Sequence, residues 1–265
     1  MRGHFIIVAG IALQLASSAA AADPAPICAD RPGKASATCT VAAGHLELDI
    51  GFADWSLQKN GEERETDLGI GDSEIRYGLT DRDEIAFEAT SYLRNRDSGG
   101  GKASSHSGFG DLTAIYRHRL TADDAPIELT LVPEVKIPTA KRSLGNGKWE
   151  GGLLIPIGYA IPKTPLSLAF TPEIDWVADA DGHGHHAAMA QVASLGWQAT
   201  DKLNLSAEIW GAWDWDPSGT TRQASADAAA AYLLSNSVQL DAGANFGLNR
   251  DTPDVELYAG VSKRF

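Results

Sequence analysis

Three glutamates and one asparagine stand at the same offset in four separate stretches of this chain. Leu129-Thr-Leu-Val-Pro-Glu134, Leu168-Ala-Phe-Thr-Pro-Glu173, Leu203-Asn-Leu-Ser-Ala-Glu208 and Leu240-Asp-Ala-Gly-Ala-Asn245 each place a polar group five residues after a leucine. Carboxylates gathered this way select cations in pores, and they also suit polyhydroxylated or amine-bearing solutes. Two residues further on, Lys136, Asp175, Trp210 and Gly247 would form a second tier. Arg117 and Arg119 alternate along their own stretch and could set a transverse field against the acids. The same charges have a second use: an interior network of ion pairs, because charges in a narrow space must pair or stay hydrated. Both readings stay open at this level.

Two further groupings are reactive in type. Asp179-Ala-Asp181-Gly-His183-Gly-His185-His186 carries ligands for a transition metal or calcium. Without fixed spacing on a rigid element, this stretch is expected to be a solvated loop, and no metal is assigned to it. Ser105-His106-Ser107 offers a hydroxyl beside an imidazole, but no acidic or amide partner can be located for it. His118 lies near no serine. No catalytic residue and no cofactor are therefore expected.

These residues need elements to position them, and the chain supplies strands. Ile127–Ile137 puts Ile127, Leu129, Leu131, Pro133, Val135 and Ile137 on one face and Glu128, Thr130, Val132, Glu134 and Lys136 on the other. Val238–Leu248 alternates in the same way. Period-2 alternation over about ten residues fits a membrane strand, apolar toward lipid and polar toward a lumen. Twelve such segments are expected, near 45–57, 68–79, 84–94, 109–120, 127–138, 149–161, 166–177, 187–199, 202–214, 222–234, 238–248 and 254–265. The first two change phase part-way, which predicts β-bulges. The eighth has no decisive face. Pro133 and Pro172, each before a glutamate, also predict bulges, because proline cannot donate to a ladder.

The connections alternate between short turns and longer loops, as periplasmic turns and outer loops do in outer-membrane barrels. The aromatics Trp55, Tyr77, Tyr116, Trp149, Tyr159, Trp176, Trp197, Trp213, Trp215 and Tyr232 fall near strand ends, where interfacial girdles sit. With about 3.3 Å per residue and a tilt near 40°, Glu134, Glu173, Glu208 and Asn245 would share a tier roughly 20 Å above the periplasmic rim.

The first 22 residues read as a secretory signal: Arg2, an apolar run from Phe5 to Leu15, then small residues to Ala22. The net charge of −13 argues against a nucleic-acid partner. Cys28 and Cys39 lie in the exported part and are expected to form a disulfide, stapling a segment 23–44 that either hangs in the periplasm or plugs the lumen. Residues 45–265 would form the barrel.

Several stretches carry a family resemblance. They are Asp30-Arg-Pro-Gly33, Thr40 to Leu48, Gly69 to Leu79, Gly108-Phe-Gly-Asp111, Pro133 to Thr139, Asp241 to Leu248 and Pro253 to Phe265. Together they resemble the small outer-membrane proteins grouped under a phenol-degradation meta-pathway transporter label. The resemblance implies an all-β fold, a transmembrane antiparallel up-and-down β-barrel of about 12 strands in the outer membrane of a Gram-negative bacterium. It implies a channel for small solutes, aromatic or cationic and polar, through a charged lumen, with outer-membrane lipids as surroundings. The carboxy-terminal Phe265 resembles the signal read by the barrel-assembly machinery. The alternatives are a barrel enzyme of lipase or esterase type, and a closed structural or binding barrel.

Overall fold

The structure is a computed structural model and describes residues 25–122 and 124–265. The expected signal segment, 1–22, lies outside the described residues. Beyond residue 44 the chain forms fourteen strand segments: β1 (Leu46–Asn60), β2 (Glu63–Gly78), β3 (Asp83–Gly99), β4 (Lys102–Gly108), β5 (Leu112–Arg119), β6 (Glu128–Ile137), β7 (Glu150–Leu154), β8 (Ile157–Ala160), β9 (Leu166–Ala178), β10 (His185–Gln198), β11 (Leu203–Asp216), β12 (Gly219–Ser235), β13 (Val238–Gly247) and β14 (Val255–Arg264). β4 with β5, and β7 with β8, are single staves broken at Phe109–Asp111 and Ile155–Pro156. Twelve staves result. Each pairs antiparallel with its sequence neighbours, and β1 pairs with β14, so the sheet closes into a barrel.

Alternation decides which side chains face where. Leu168, Phe170, Ile174, Leu195, Ile209, Leu240, Phe246 and Leu257 are exposed on the outer wall. Glu47, Asp49, Glu74, Arg76, Arg117, Thr130, Thr171, Ser194, Glu208, Ser225, Asp227, Asp241 and Ser262 are buried inside. This inversion of ordinary burial is what hydrocarbon outside and a polar lumen require. The eighth stave resolves in the same way: Val192 and Ser194 are buried, whereas Leu195 and Trp197 are exposed. Tyr77, Tyr116, Tyr159, Trp197 and Tyr232 form an exposed band toward the short turns, and Trp149, Trp176, Trp213 and Trp215 a second toward the outer hairpins.

Of the expected bulges, one stands in the register. The β1–β14 ladder shifts by one residue between Gly51 and Ala53, leaving Phe52 extra. β2 changes phase beside it, at Gly71, whose φ of 64° suits a residue without a Cβ. At Pro133 and Pro172 the expectation fails, because the register runs through both without a shift. The missing donors are absorbed elsewhere. The β5–β6 ladder skips the pairs opposite Val132 and Pro133. The neighbouring stave breaks at Ile155–Pro156, yet Ile155 N–H still donates to Pro172 O at 3.0 Å and Thr130 N–H to Pro156 O at 3.1 Å.

The outer loops expected at 58–67, 95–108 and 215–221 are largely strand. β1–β2, β3–β4 and β11–β12 run on as hairpins beyond the aromatic band, with tight turns at their tips.

Ile209 lies midway along β11 and is 59% exposed to the lipid side. Ile209→Arg is expected to cost about 2–4 kcal/mol, the depth-dependent penalty for a charge on the lipid face, read from urea titrations of folding into bilayers.

Candidate functional site

The lumen is entered from the short-turn side by residues 25–44. Arg264 donates to Ala25 O at 2.7 Å at the rim, and the segment returns to the wall where Gly44 N–H meets Gly78 O at 2.8 Å. Between these points it touches staves around most of the barrel. The disulfide Cys28–Cys39 closes its base, with Cα atoms 6.0 Å apart. Ile27 and Val41 are its buried apolar residues.

Two arginines of the wall hold this plug from below. Arg76 is fully buried. Its Nε and Nη2 donate to the two oxygens of Glu84 at 2.7 and 3.1 Å, and Nη1 donates to Glu47 at 3.2 Å and to the carbonyl of Cys28. Arg117 binds the carboxylate of Asp30 in the plug and Ser36 Oγ at 3.0 Å, with Glu74 at 3.7 Å and Glu84 at 3.5 Å. Around them Thr130 Oγ1 donates to Thr38 O at 2.5 Å, and Val41 N–H donates to Glu84 Oε2 at 2.7 Å.

The far end of the plug meets β11 to β14. Arg31 pairs with Asp241 at 2.9 Å. Lys34 donates its N–H to Glu208 at 2.8 Å, and its ammonium lies 3.5 Å from Glu256, 3.8 Å from Asp227 and 5.5 Å from the centre of the Trp210 ring. Asn245 Nδ2 donates to Glu256 at 2.7 Å. Beside this end lies a cavity of about 380 Å³ open to the short-turn side, lined in part by Arg31, Thr38, Glu128, Ser194 and Asn204.

The residues expected in one tier all face the lumen, but the structure brings them together as two groups. Glu208 stands with Asp227, Asn245 and Glu256 along paired positions of β11, β12, β13 and β14. Glu134 stands instead with Asp175 and Glu173. Glu134 and Asp175 both pair with Gly152, and a Cβ there would meet Asp175 Oδ1 at 2.5 Å and Glu134 Cγ at 3.2 Å. The glycine leaves room for two carboxylates to converge. Glu88 and Asp72 extend this acidic wall across β3 and β2. Among the described residues none of Asp72, Glu88, Glu134, Glu173 and Asp175 forms an ion pair with lysine or arginine.

Lys136 and the two arginines take other places. Lys136 is bound to Glu150 and lies 3.5 Å from Asp111, toward the outer mouth. Arg117 is locked against the plug, and Arg119 donates to Asp81 O at 2.9 Å at the short-turn rim. The arginines therefore do not stand opposite the glutamates as a field-setting pair.

The groups with catalytic potential are also placed. His118 Nδ1 lies 2.8 Å from Asp83, whose carboxylate also accepts from the hydroxyls of Thr80 and Tyr116. Ser105 and His106 lie on β4, where Ser105 Oγ receives Arg94 Nε at 3.3 Å.

A closed twelve-stave barrel with an apolar belt, two aromatic girdles and a charged, plugged lumen defines an outer-membrane β-barrel protein. The chain belongs to the family described as "Putative MetA-pathway of phenol degradation", whose profile matches residues 29–265. Among solved structures it is similar to an outer membrane channel from Pseudomonas putida F1, with 16% identity, TM-score 0.70, and 89% of this chain and 99% of that chain covered. It is also similar to the translocator domain of the autotransporter NalP from Neisseria meningitidis, with 15% identity, TM-score 0.53, and 85% and 90% covered. No curated relative matches the chain.

Arg76 is the test of how the plug is held. Arg76→Met leaves Glu47, Asp49 and Glu84 buried around a missing cation. It is expected to lower stability by about 3–5 kcal/mol, as removing one partner of a buried ion pair does, measured by urea unfolding followed through tryptophan fluorescence.

Proposed function

We propose that this protein is an outer-membrane channel for small solutes, in which residues 25–44 act as a gate and the acidic wall of β2, β3, β6 and β9 favours cationic and polar passengers. The observation that carries this reading is the wall itself. Carboxylates that face a lumen without basic partners must stay hydrated, share a proton or bind passing cations, since burying them charged and dry would cost far more than a barrel this size can supply. They lie on the side of the lumen away from the Lys34 end of the plug, where a path beside it would run.

The plug supports the same reading. Its Lys34 ammonium rests among Glu256, Asp227 and the face of Trp210, so the wall already accommodates an organic cation. Apart from Ile27 and Val41 its contacts are mainly polar, and polar contacts can exchange for water when a segment withdraws. The similarity to an outer membrane channel favours transport over catalysis. His118 and Asp83 pair at the short-turn rim, whereas Ser105 and His106 of the esterase alternative lie on β4 at the outer side, where Ser105 Oγ accepts from Arg94 Nε.

Assembly in the outer membrane would proceed through the last strand. Phe265 is exposed, its N–H donates to Leu46 O at 2.7 Å beside the closing seam, and Lys263 covers its ring at 4.6 Å. This is the residue we assign to recognition by the barrel-assembly machinery.

Two measurements test the channel. In planar bilayers, the triple variant Glu134→Gln, Glu173→Gln and Asp175→Asn is expected to lose most of its preference for K⁺ over Cl⁻; an unchanged preference would remove the acidic wall from the mechanism. Replacing Cys28 and Cys39 by serine frees the base of the plug and is expected to raise open-state occupancy. A barrel that conducts nothing in either form would be a closed structural barrel.

A further inference from the structure

The outer mouth holds a cluster that the channel reading does not use. Asp179 follows directly on β9, His186 is the second residue of β10, and Asp214 and Asp216 end β11. His186 Nδ1 lies 2.8 Å from Asp179 Oδ1 and 3.7 Å from Asp216 Oδ2, while its Nε2 lies 2.6 Å from Asp214 Oδ1. The ligand atoms of Asp179, His186 and Asp216 fall within 4.8 Å of one another. The side chains of all three are nearly buried, with 8% of His186 and 12% of each aspartate exposed.

Three features separate this arrangement from a chance gathering of acids. First, it contains an imidazole with a carboxylate within hydrogen-bond reach of each nitrogen, Asp179 at Nδ1 and Asp214 at Nε2. With Nε2–H donated to Asp214, Nδ1 is the nitrogen that an ion held between it and the other two carboxylates would take. This carboxylate–histidine relay is how metal-bound histidines are oriented. Second, Asp216 is held independently of the histidine. Its Oδ1 accepts from Ser218 N–H at 2.7 Å and from the Ser218 hydroxyl, while Oδ2, which faces His186, accepts from Ala180 N–H at 2.7 Å and keeps a further lone pair. Third, charge is out of balance: three carboxylates meet one imidazole, and among the described residues no lysine or arginine bridges to them. Even a doubly protonated ring would leave two negative charges together.

The other histidines of the stretch point elsewhere. His183 is exposed and bonds only to Asp181. His185 stacks on Trp176 with ring centres 3.5 Å apart and reaches Trp149 O at 2.8 Å. Their sequence neighbour His186 turns inward because successive residues of a strand face opposite sides.

We propose that Asp179, His186 and Asp216 form a divalent transition-metal site at the outer mouth, with Asp214 orienting the imidazole from behind. One nitrogen and two carboxylate donors, with positions open to water, suit Zn²⁺ better than Ca²⁺, which takes six or more oxygens. The ion would tie the β9–β10 hairpin to the end of β11 at the lumen entrance and would offset the excess negative charge there.

The test uses the full chain, folded in detergent, stripped with chelator and titrated with Zn²⁺ in a calorimeter. One ion per chain is expected. His186→Ala is expected to remove this step, and Asp214→Asn, which keeps the side-chain shape, to weaken it by about 10–100-fold. The double variant His183→Ala and His185→Ala is expected to leave it intact. Heat-shifted gel mobility confirms that each variant is folded; if His186→Ala is not, Asp179→Asn must show the same loss. Absence of a saturable Zn²⁺ step in the unaltered chain overturns the site. So does a step that survives His186→Ala or depends on His183 and His185, or a Ca²⁺ step of equal strength indifferent to His186.

Discussion

A guanidinium taken out of water has five N–H groups to satisfy and a charge to neutralise. Arg76 is in that position at the bottom of this lumen. It meets the demand by drawing Glu47 and Asp49 from β1, Glu84 from β3 and a carbonyl from the plug into one cluster. Arg117 repeats the arrangement next to it with Asp30 as the plug's contribution. Neither arginine could be so deeply buried if the plug were elsewhere, because part of its acceptor shell belongs to residues 28–37. Wall and plug are therefore one electrostatic unit, to which the neighbouring strands β1, β2 and β3 all contribute acids.

This constraint divides the lumen. Toward the short turns, charges are matched, and a small apolar cluster of Ala86, Ile115 and Val132 with Leu154 packs beside them. Toward the outer side, acids outnumber bases, and the nearest lysine, Lys136, is already held by Glu150 and Asp111. Stability is concentrated where the plug is seated, and unbalanced charge where solutes would enter. The two requirements of the proposed gated channel, a firm seat and a hydrated path, are met at different heights of the lumen, in part on the same staves β2, β3 and β6.

The barrel was legible in the sequence because its signal is local. Each strand sits between two solvents, so every second residue reports the side it faces, and the twelve expected segments match the twelve staves, missing mainly the five to seven residues by which the outer hairpins at 58–67 and 95–108 run on. The bulge at Phe52 was visible in the same way, as a change of phase from Ile50 to Trp55. Pro133 misled because a proline's missing donor can be absorbed by a gap in the neighbouring strand, which its own sequence does not show. The carboxylate tier misled for a related reason. Equal distance from a turn does not make residues neighbours when strands are tilted and staggered. Two strands across from Glu173 the pairing reaches Ala212, four residues beyond Glu208. The plug left no periodic trace at all. Arg117 and Asp30 are 87 residues apart, and nothing along the chain links them.

The wall nevertheless carries an imprint of the plug. Gly78 sits at the rim where the plug rejoins β2, and a Cβ there would lie 2.3 Å from the carbonyl oxygens of Val41 and Ala42. Gly260 faces the Arg31 guanidinium, where a Cβ would come within 2.6 Å of Nε. In the middle of a strand glycine weakens pairing and packing, so at Gly260, inside β14, the barrel forgoes strand stability in favour of contact with Arg31. A segment hanging free in the periplasm would impose no such requirement on the strands. The seat of the plug is thus written into the barrel as much as into the plug, as small residues at the points where two backbones or a backbone and a guanidinium must come close.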